Sequence, residues 1–192
     1  MDLGASYVGV IFAGGPRLVT ADEARRVLEP TRGRARTVGV FGAVTADTIA
    51  RVVAEVALDV VQLSADPDAE LVDAVHSATD AEVWAAVRCG PELPPIAAIL
   101  FDHADAVLLD ARVDGQLGGT GRTLPWQTLA PSIAELKSRG RLVLAGGLTP
   151  ENVRQAVDAL NPDVVDVSSG VERMPGVKDH ERMRRFVNAI QS

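Results

Sequence analysis

Seven short apolar runs recur along the chain, and a helix-forming segment follows each. The runs are YVGVIF at 7–12, VGVF at 38–41, DVVQL at 59–63, EVWAAVR at 82–88, AVLL at 106–109, RLVLA at 141–145 and DVVDV at 163–167. They are rich in β-branched residues and nearly continuous in hydrophobicity, the pattern of strands buried on both faces of a parallel sheet. Between them the helix signals are explicit. Thr20 stands before an Ala21–Leu28 helix with Glu23 as its capping-box partner, and Thr45 before a helix running to about Val56. Further helices are expected at 67–78, 96–101, 127–138, 150–160 and 179–190. Thr149 is expected to cap the 150–160 helix, with Pro150 in its first position. An alternation that never breaks predicts an α/β protein with parallel strands.

Two architectures satisfy that pattern, a doubly wound sheet and a (β/α)8 barrel. Residues able to do chemistry follow strand ends along the whole chain: Arg17, Ser64, Asp110, Gly146, Gly147 and Ser168. A doubly wound sheet gathers function at one switch point. A barrel brings every strand's C-terminal end to one mouth, with phosphate held after its last two strands. Gly-Gly and Ser-Ser-Gly turns follow the last two strands here, so a (β/α)8 TIM barrel is expected, with residues 1–192 as a single domain. Such a barrel needs eight strands and runs to about 250 residues, whereas the sequence shows seven strands in 192 residues. The expectation is that a first strand and most of a first helix are missing. A start placed too late is favoured over a true loss, because Met1–Ala5 reads as the interior of an ending helix.

The stretch Val164–Asp179, VVDVSSGVERMPGVKD, carries the densest chemistry. Its strand stops at a Ser-Ser-Gly turn, where the N–H groups of Ser169, Gly170 and Val171 are expected to cradle a phosphate without a positive side chain. Asp166 is read inside the strand, where a carboxylate is costly unless it is employed. The net charge of −7 disfavours nucleic acid or an acidic membrane as the main partner. The single cysteine, Cys89, excludes an internal disulfide and suits a reducing cytoplasm. No apolar run approaches the roughly 20 residues of a membrane span, and Met1–Val10 has no basic stretch of the kind that opens a signal peptide. No metal site is expected. The partner is a small molecule, with the chain a monomer or homodimer.

At this point the motifs carry a resemblance. YVGVIF–GGPRLVT at 7–20, LLDAR at 108–112, GGTGRT at 118–123, LAGGLTPENV at 144–153 and DVSSGVERMPGVKD at 166–179 stand in the order of the phosphoribosylanthranilate isomerase family. The chain resembles that family over almost its whole length. The resemblance implies an Amadori rearrangement in tryptophan biosynthesis, an aldose-to-ketose conversion without cofactor. It implies that Asp110 is the general acid that opens the ribose ring. Leu108 and Leu109 would give that carboxyl an apolar setting and a raised pKa. Arg17 matches the residue that grips the anthranilate carboxylate, which its planar fork suits. Asp166 matches a carboxylate near the amine and ribose hydroxyls. Gly146, Gly147, Ser168, Ser169 and Gly170 match the phosphate site, with Gly147 also among the substrate contacts. The glycines of 118–121 match a flap over the mouth.

Departures from the family pattern are equally specific. The family's first strand ends in Lys-x-Cys-Gly, whose cysteine is the general base, and these 192 residues contain no such motif. Cys89 is expected to be a small buried thiol. Ser64-Ala65 replaces a His-Gly pair, and His76, His103 and His180 fall on helices or connections. The chain as given is therefore expected to be poorly active. The alternatives are a phosphosugar-binding barrel without turnover and the related sugar-phosphate isomerase of the histidine pathway.

Overall fold

The computed structural model describes residues 3–111 and 123–191. Seven parallel strands alternate with helices: β1 (Tyr7–Ile11), β2 (Arg36–Phe41), β3 (Val60–Leu63), β4 (Glu82–Cys89), β5 (Ala106–Ala111), β6 (Arg141–Leu144) and β7 (Val164–Val165). Within each unit described below, strands adjacent in sequence are adjacent in the sheet. The helices are α1 (Ala21–Leu28), α2 (Ala46–Val56), α3 (Ala69–Ala78), α4 (Ile96–His103), α5 (Trp126–Leu136), α6 (Val153–Leu160) and α7 (His180–Gln191). A short antiparallel hairpin, β8 (Glu172–Met174) and β9 (Val177–Lys178), precedes α7.

The chain divides into two compact units. The first runs to Ala86 and takes in His103–Asp105; the second holds Val87–Asp102 and the chain from Ala106 on. In the first unit β1 pairs with β2, β2 with β3 and β3 with β4. Its helices begin as their sequence signals demand. Thr20 and Glu23 form a reciprocal capping box at α1, and the Thr45 hydroxyl accepts the Thr48 N–H at α2. Ile49, Val56, Val60, Val61, Val72 and Val75 are wholly buried between helices and sheet. Burying each such side chain contributes about 1.5–3 kcal/mol.

A carboxylate fastens this unit at two levels. Asp59, just before β3, accepts the Thr37 N–H (2.7 Å) and hydroxyl (2.8 Å) at the second residue of β2. Asp105, just before β5, accepts the Val83 N–H (2.8 Å) at the second residue of β4 and meets His76 Nε2 at 2.9 Å. The His103 ring lies 2.9 Å from Asp73 on α3. These two histidines tie α3 to the end of α4 and are occupied structurally.

In the second unit β5 pairs with β6 and β6 with β7. Leu108, Leu109, Leu142, Val143, Leu144, Ile133 and Ala156 form its core. The same fastening recurs: Asp163, just before β7, accepts the Leu142 N–H (2.8 Å) at the second residue of β6.

Three expectations change here. β7 spans only Val164–Val165, so Asp166 lies one residue beyond it. Its ladder with β6 ends at Leu144–Val165, where β6 gives way to the Gly146–Gly147 turn. α6 begins at Val153, not Pro150, because residues 150–152 form a separate turn. Asn152, whose side chain accepts the Thr149 N–H at 2.8 Å, secures that turn in place of a Thr149 cap on the helix. Finally, Cys89 is the last residue of β4, within the strand rather than after it.

Candidate active site

The register of the second unit sets two carboxylates in one row. Leu109 pairs with Leu144 and Leu144 with Val165. One residue further along stand Asp110, Ala145 and Asp166, continued by Ala145 N–H to Leu109 O (2.9 Å) and Asp166 N–H to Leu144 O (2.8 Å). Residues level across parallel strands face the same side, so Asp110 and Asp166 flank small Ala145, with α-carbons two strand spacings, about 10 Å, apart.

Desolvation raises the Asp110 carboxyl above the usual carboxylate range, while the Ala111 N–H and the Arg88 guanidinium pull it back. Desolvation and the charge of Asp110 raise Asp166, opposed by Lys178 and the Val167 N–H. Asp166 retains exposed surface even though protein atoms crowd its carboxyl; the upward direction follows from that crowding together with a second acid nearby. The charge of one acid thus raises the proton affinity of the other, the arrangement in which neighbouring carboxyls take different protonation states.

Two turns follow the next strand ends. Gly146 has φ +82°, and a Cβ there would come 2.5 Å from the Ala111 nitrogen and 2.7 Å from Asp110 Oδ1. Only glycine lets this turn lie against the acid. After β7, Ser169–Val171 form a single 3-10 turn. A Cβ on Gly170 would overlap the Leu148 carbonyl oxygen, so glycine is again required for the two turns to touch. Among the described residues, no protein acceptor meets the backbone N–H of Gly147, Leu148, Ser168, Ser169 or Gly170. N–H groups left in this state are of the kind that can receive an anion. The Val171 N–H, expected in the cradle, turns inward to the Ser168 carbonyl (3.5 Å).

Asp110, Asp166, Gly146, Gly147, Ser168, Ser169 and Gly170 are thus brought together within the second unit. Arg17 belongs to the first unit, half-buried in the loop after β1, where Leu18 bridges back to Ile11. Ser64 Oγ accepts from Gln62 Nε2 at 3.0 Å. The 118–121 segment lies outside the described residues. Cys89 is buried, and desolvation, followed by the Asp110 charge, pushes its thiol up to about 12. A thiol so protonated is no base at neutral pH. Among the described residues no cluster of three or more His, Cys, Asp or Glu side chains could hold a metal ion. Nor is any helix there long and apolar enough to cross a membrane.

Two supporting side chains were not singled out from the sequence. Lys178 Nζ donates to the Ser168 carbonyl at 2.9 Å, and Asn152 Nδ2 to the Gly147 carbonyl at 2.9 Å. Lys178 stands within the GVKD motif, which is the one signal that pointed to it.

Comparison with known proteins bears on the family and the fold. The family model described as N-(5'phosphoribosyl)anthranilate (PRA) isomerase matches residues 1–189. N-(5'-phosphoribosyl)anthranilate isomerase of Roseiflexus castenholzii is 40% identical, over all of this chain and 91% of that protein. The crystal structure of phosphoribosyl anthranilate isomerase from Thermotoga maritima superimposes with a TM-score of 0.87 at 33% identity, covering 99% of this chain and 90% of that one. A phosphoribosyl anthranilate isomerase in complex with reduced 1-(o-carboxyphenylamino)-1-deoxyribulose 5-phosphate gives 0.83 at 32% identity, with 99% and 89% covered. The fold class is that of these (β/α)8 barrels, with seven of its parallel strands in the described residues. Matched along nearly its full length in sequence and structure, the chain belongs to the N-(5′-phosphoribosyl)anthranilate isomerase family.

Proposed function

We propose that this chain isomerises N-(5′-phosphoribosyl)anthranilate to the carboxyphenylamino-deoxyribulose phosphate, a step of tryptophan biosynthesis, in the cytoplasm. The observation that carries the reading is the row of N–H groups on two successive turns, met by no acceptor among the described residues, beside a carboxyl that desolvation raises above its usual range. The substrate phosphate binds to the turns at Gly146–Gly147 and Ser168–Gly170. Asp110 gives its proton to the ribose ring oxygen; the C1–O bond breaks and the nitrogen lone pair forms the iminium. The C2 proton then passes to water, giving the enamine, which takes a proton back at C1 as it tautomerises to the ketose. Asp166, level with Asp110, lies near the amine and ribose hydroxyls. Arg17 pairs its fork with the anthranilate carboxylate.

The test follows anthranilate fluorescence on mixing substrate with the chain and with Asp110→Asn. The variant is expected to lose 10²–10⁴-fold in kcat, roughly the worth of a general acid. An undiminished rate would reject Asp110 as the acid. A second reading, phosphosugar binding without turnover, is favoured by one observation: the chain's only thiol is buried Cys89, held protonated. Substrate that binds and is not consumed supports this second reading.

A further inference from the structure

The two turns share a device that the phosphate reading leaves unexplained. Each has one carbonyl taken up by a side chain from further along the chain. Asn152 Nδ2 donates to Gly147 O at 2.9 Å, while its Oδ1 accepts the Thr149 N–H at 2.8 Å. Lys178 Nζ donates to Ser168 O at 2.9 Å and pairs with Glu172 Oε1 at 3.2 Å. The hairpin register sets Lys178 opposite Glu172, whose side chain is only 4% exposed. A carboxylate that buried needs a partner, so the ammonium is held from one side by Glu172 and aimed at Ser168.

Across a planar trans peptide the C=O and the following N–H point in opposite directions. Tethering the Gly147 carbonyl therefore aims the Leu148 N–H the other way, and tethering the Ser168 carbonyl does the same for Ser169. These are among the N–H groups that no described acceptor meets. The contact of Gly170 with the Leu148 carbonyl locks the two turns to each other.

We propose that Asn152 and Lys178 are positioning residues of the phosphate site: each tethers one turn's carbonyl so that the Leu148 or Ser169 N–H faces the phosphate. This rests on the phosphate reading above. Neither residue need touch the anion, and each serves its own turn.

The separation into two turns makes the inference testable without turnover. Inorganic phosphate is titrated into the ¹⁵N-labelled chain while the Leu148 and Ser169 amides are followed. Both are expected to shift in the parent. Because Lys178→Met alone would take a charge partner from a buried carboxylate, it is made together with Glu172→Gln and compared with Glu172→Gln alone. The double variant is expected to lose the Ser169 response even at saturating phosphate and to keep that of Leu148. Asn152→Ala is expected to do the reverse, and Lys178→Arg to retain both responses. Each loss is expected to raise the phosphate Kd by about tenfold or more. If neither amide responds in the parent, the phosphate reading falls and takes this inference with it. If the parent responds and the variants reach the same shifts at saturation, only the inference is overturned; a weaker Kd would then reflect lost charge alone.

Discussion

The role proposed for Asp110 and the stability of the fold oppose each other in one side chain. Its carboxyl is raised by desolvation. A group raised in the folded state contributes its full stability below the ordinary carboxylate range and loses it as the pH climbs through the folded value. Ionised Asp110 is thus a cost to the fold at neutral pH. Asp110→Asn is expected to raise the melting temperature at pH 7.5 and to give no such gain at pH 3, by calorimetry, while turnover falls. In its proposed role as proton donor, Asp110 should also impose an alkaline limb, with kcat/KM declining as the pH rises through its raised pKa. Cys89 gives the opposite lesson: a lone thiol in a catalytic fold that is chemically silent. With its pKa near 12 and its surface buried, it is expected to react with a thiol reagent such as Ellman's only on unfolding. Rapid labelling of the native chain would contradict its burial.

Among the elements, the fastening by Asp59, Asp105 and Asp163 sets a period of two strands. Each stands immediately before β3, β5 or β7 and accepts the N–H of the second residue of the strand before it in the sequence. The carboxylate satisfies an N–H at a strand's N-terminal end and ties a βαβ unit shut across its helix. Asp59 takes two bonds, one of them from a hydroxyl of buried Thr37. Asp59→Ala is expected to cost about 1.5–3 kcal/mol in urea unfolding, the range for hydrogen bonds to a charged group. Asp163→Ala, with a side chain 42% exposed, should fall at or below the lower end. Equal, negligible losses at both would show the period to be ornamental. Gly170→Ala tests the other kind of joint. Its methyl has no room beside the Leu148 carbonyl, so the turns must part and phosphate affinity should drop, measured by calorimetric titration.

For the molecule as a whole, the sheet is not equally secured along its width. Among the described residues β1 is paired only with β2, and β7 only with β6. β3 has partners on both sides, and its Val60, Val61 and Leu63 are essentially inaccessible. Hydrogen exchange is expected to be fastest in β1 and β7 and slowest in β3. Catalysis has a whole-chain test as well. These 192 residues offer no thiol base, and turnover is expected to rise about 10²–10⁴-fold when a Lys-x-Cys-Gly strand is added ahead of Met1. Equal rates in the two chains would place the base among the residues already present.

The order of elements was legible in the residues because apolar runs of four to seven and helix caps are local signals; Thr20–Glu23 and Thr45 form the caps their spacing predicts. The two glycine turns were legible too, since their positions after strands are matters of sequence; Asp110 was legible from its LLDAR motif, although β5 runs through it to Ala111 rather than ending before it. Tertiary structure alone decided the rest. It shortened β7 because the β6 ladder ran out, moved the start of α6 because Asn152 was engaged elsewhere, and turned the Val171 N–H inward. It also brought Lys178 to Ser168 across ten positions of chain. A strand or a cap depends on neighbours a few residues away. The reach of a side chain to a distant carbonyl, or the loss of water around a carboxyl, exists only once separate segments share the same space.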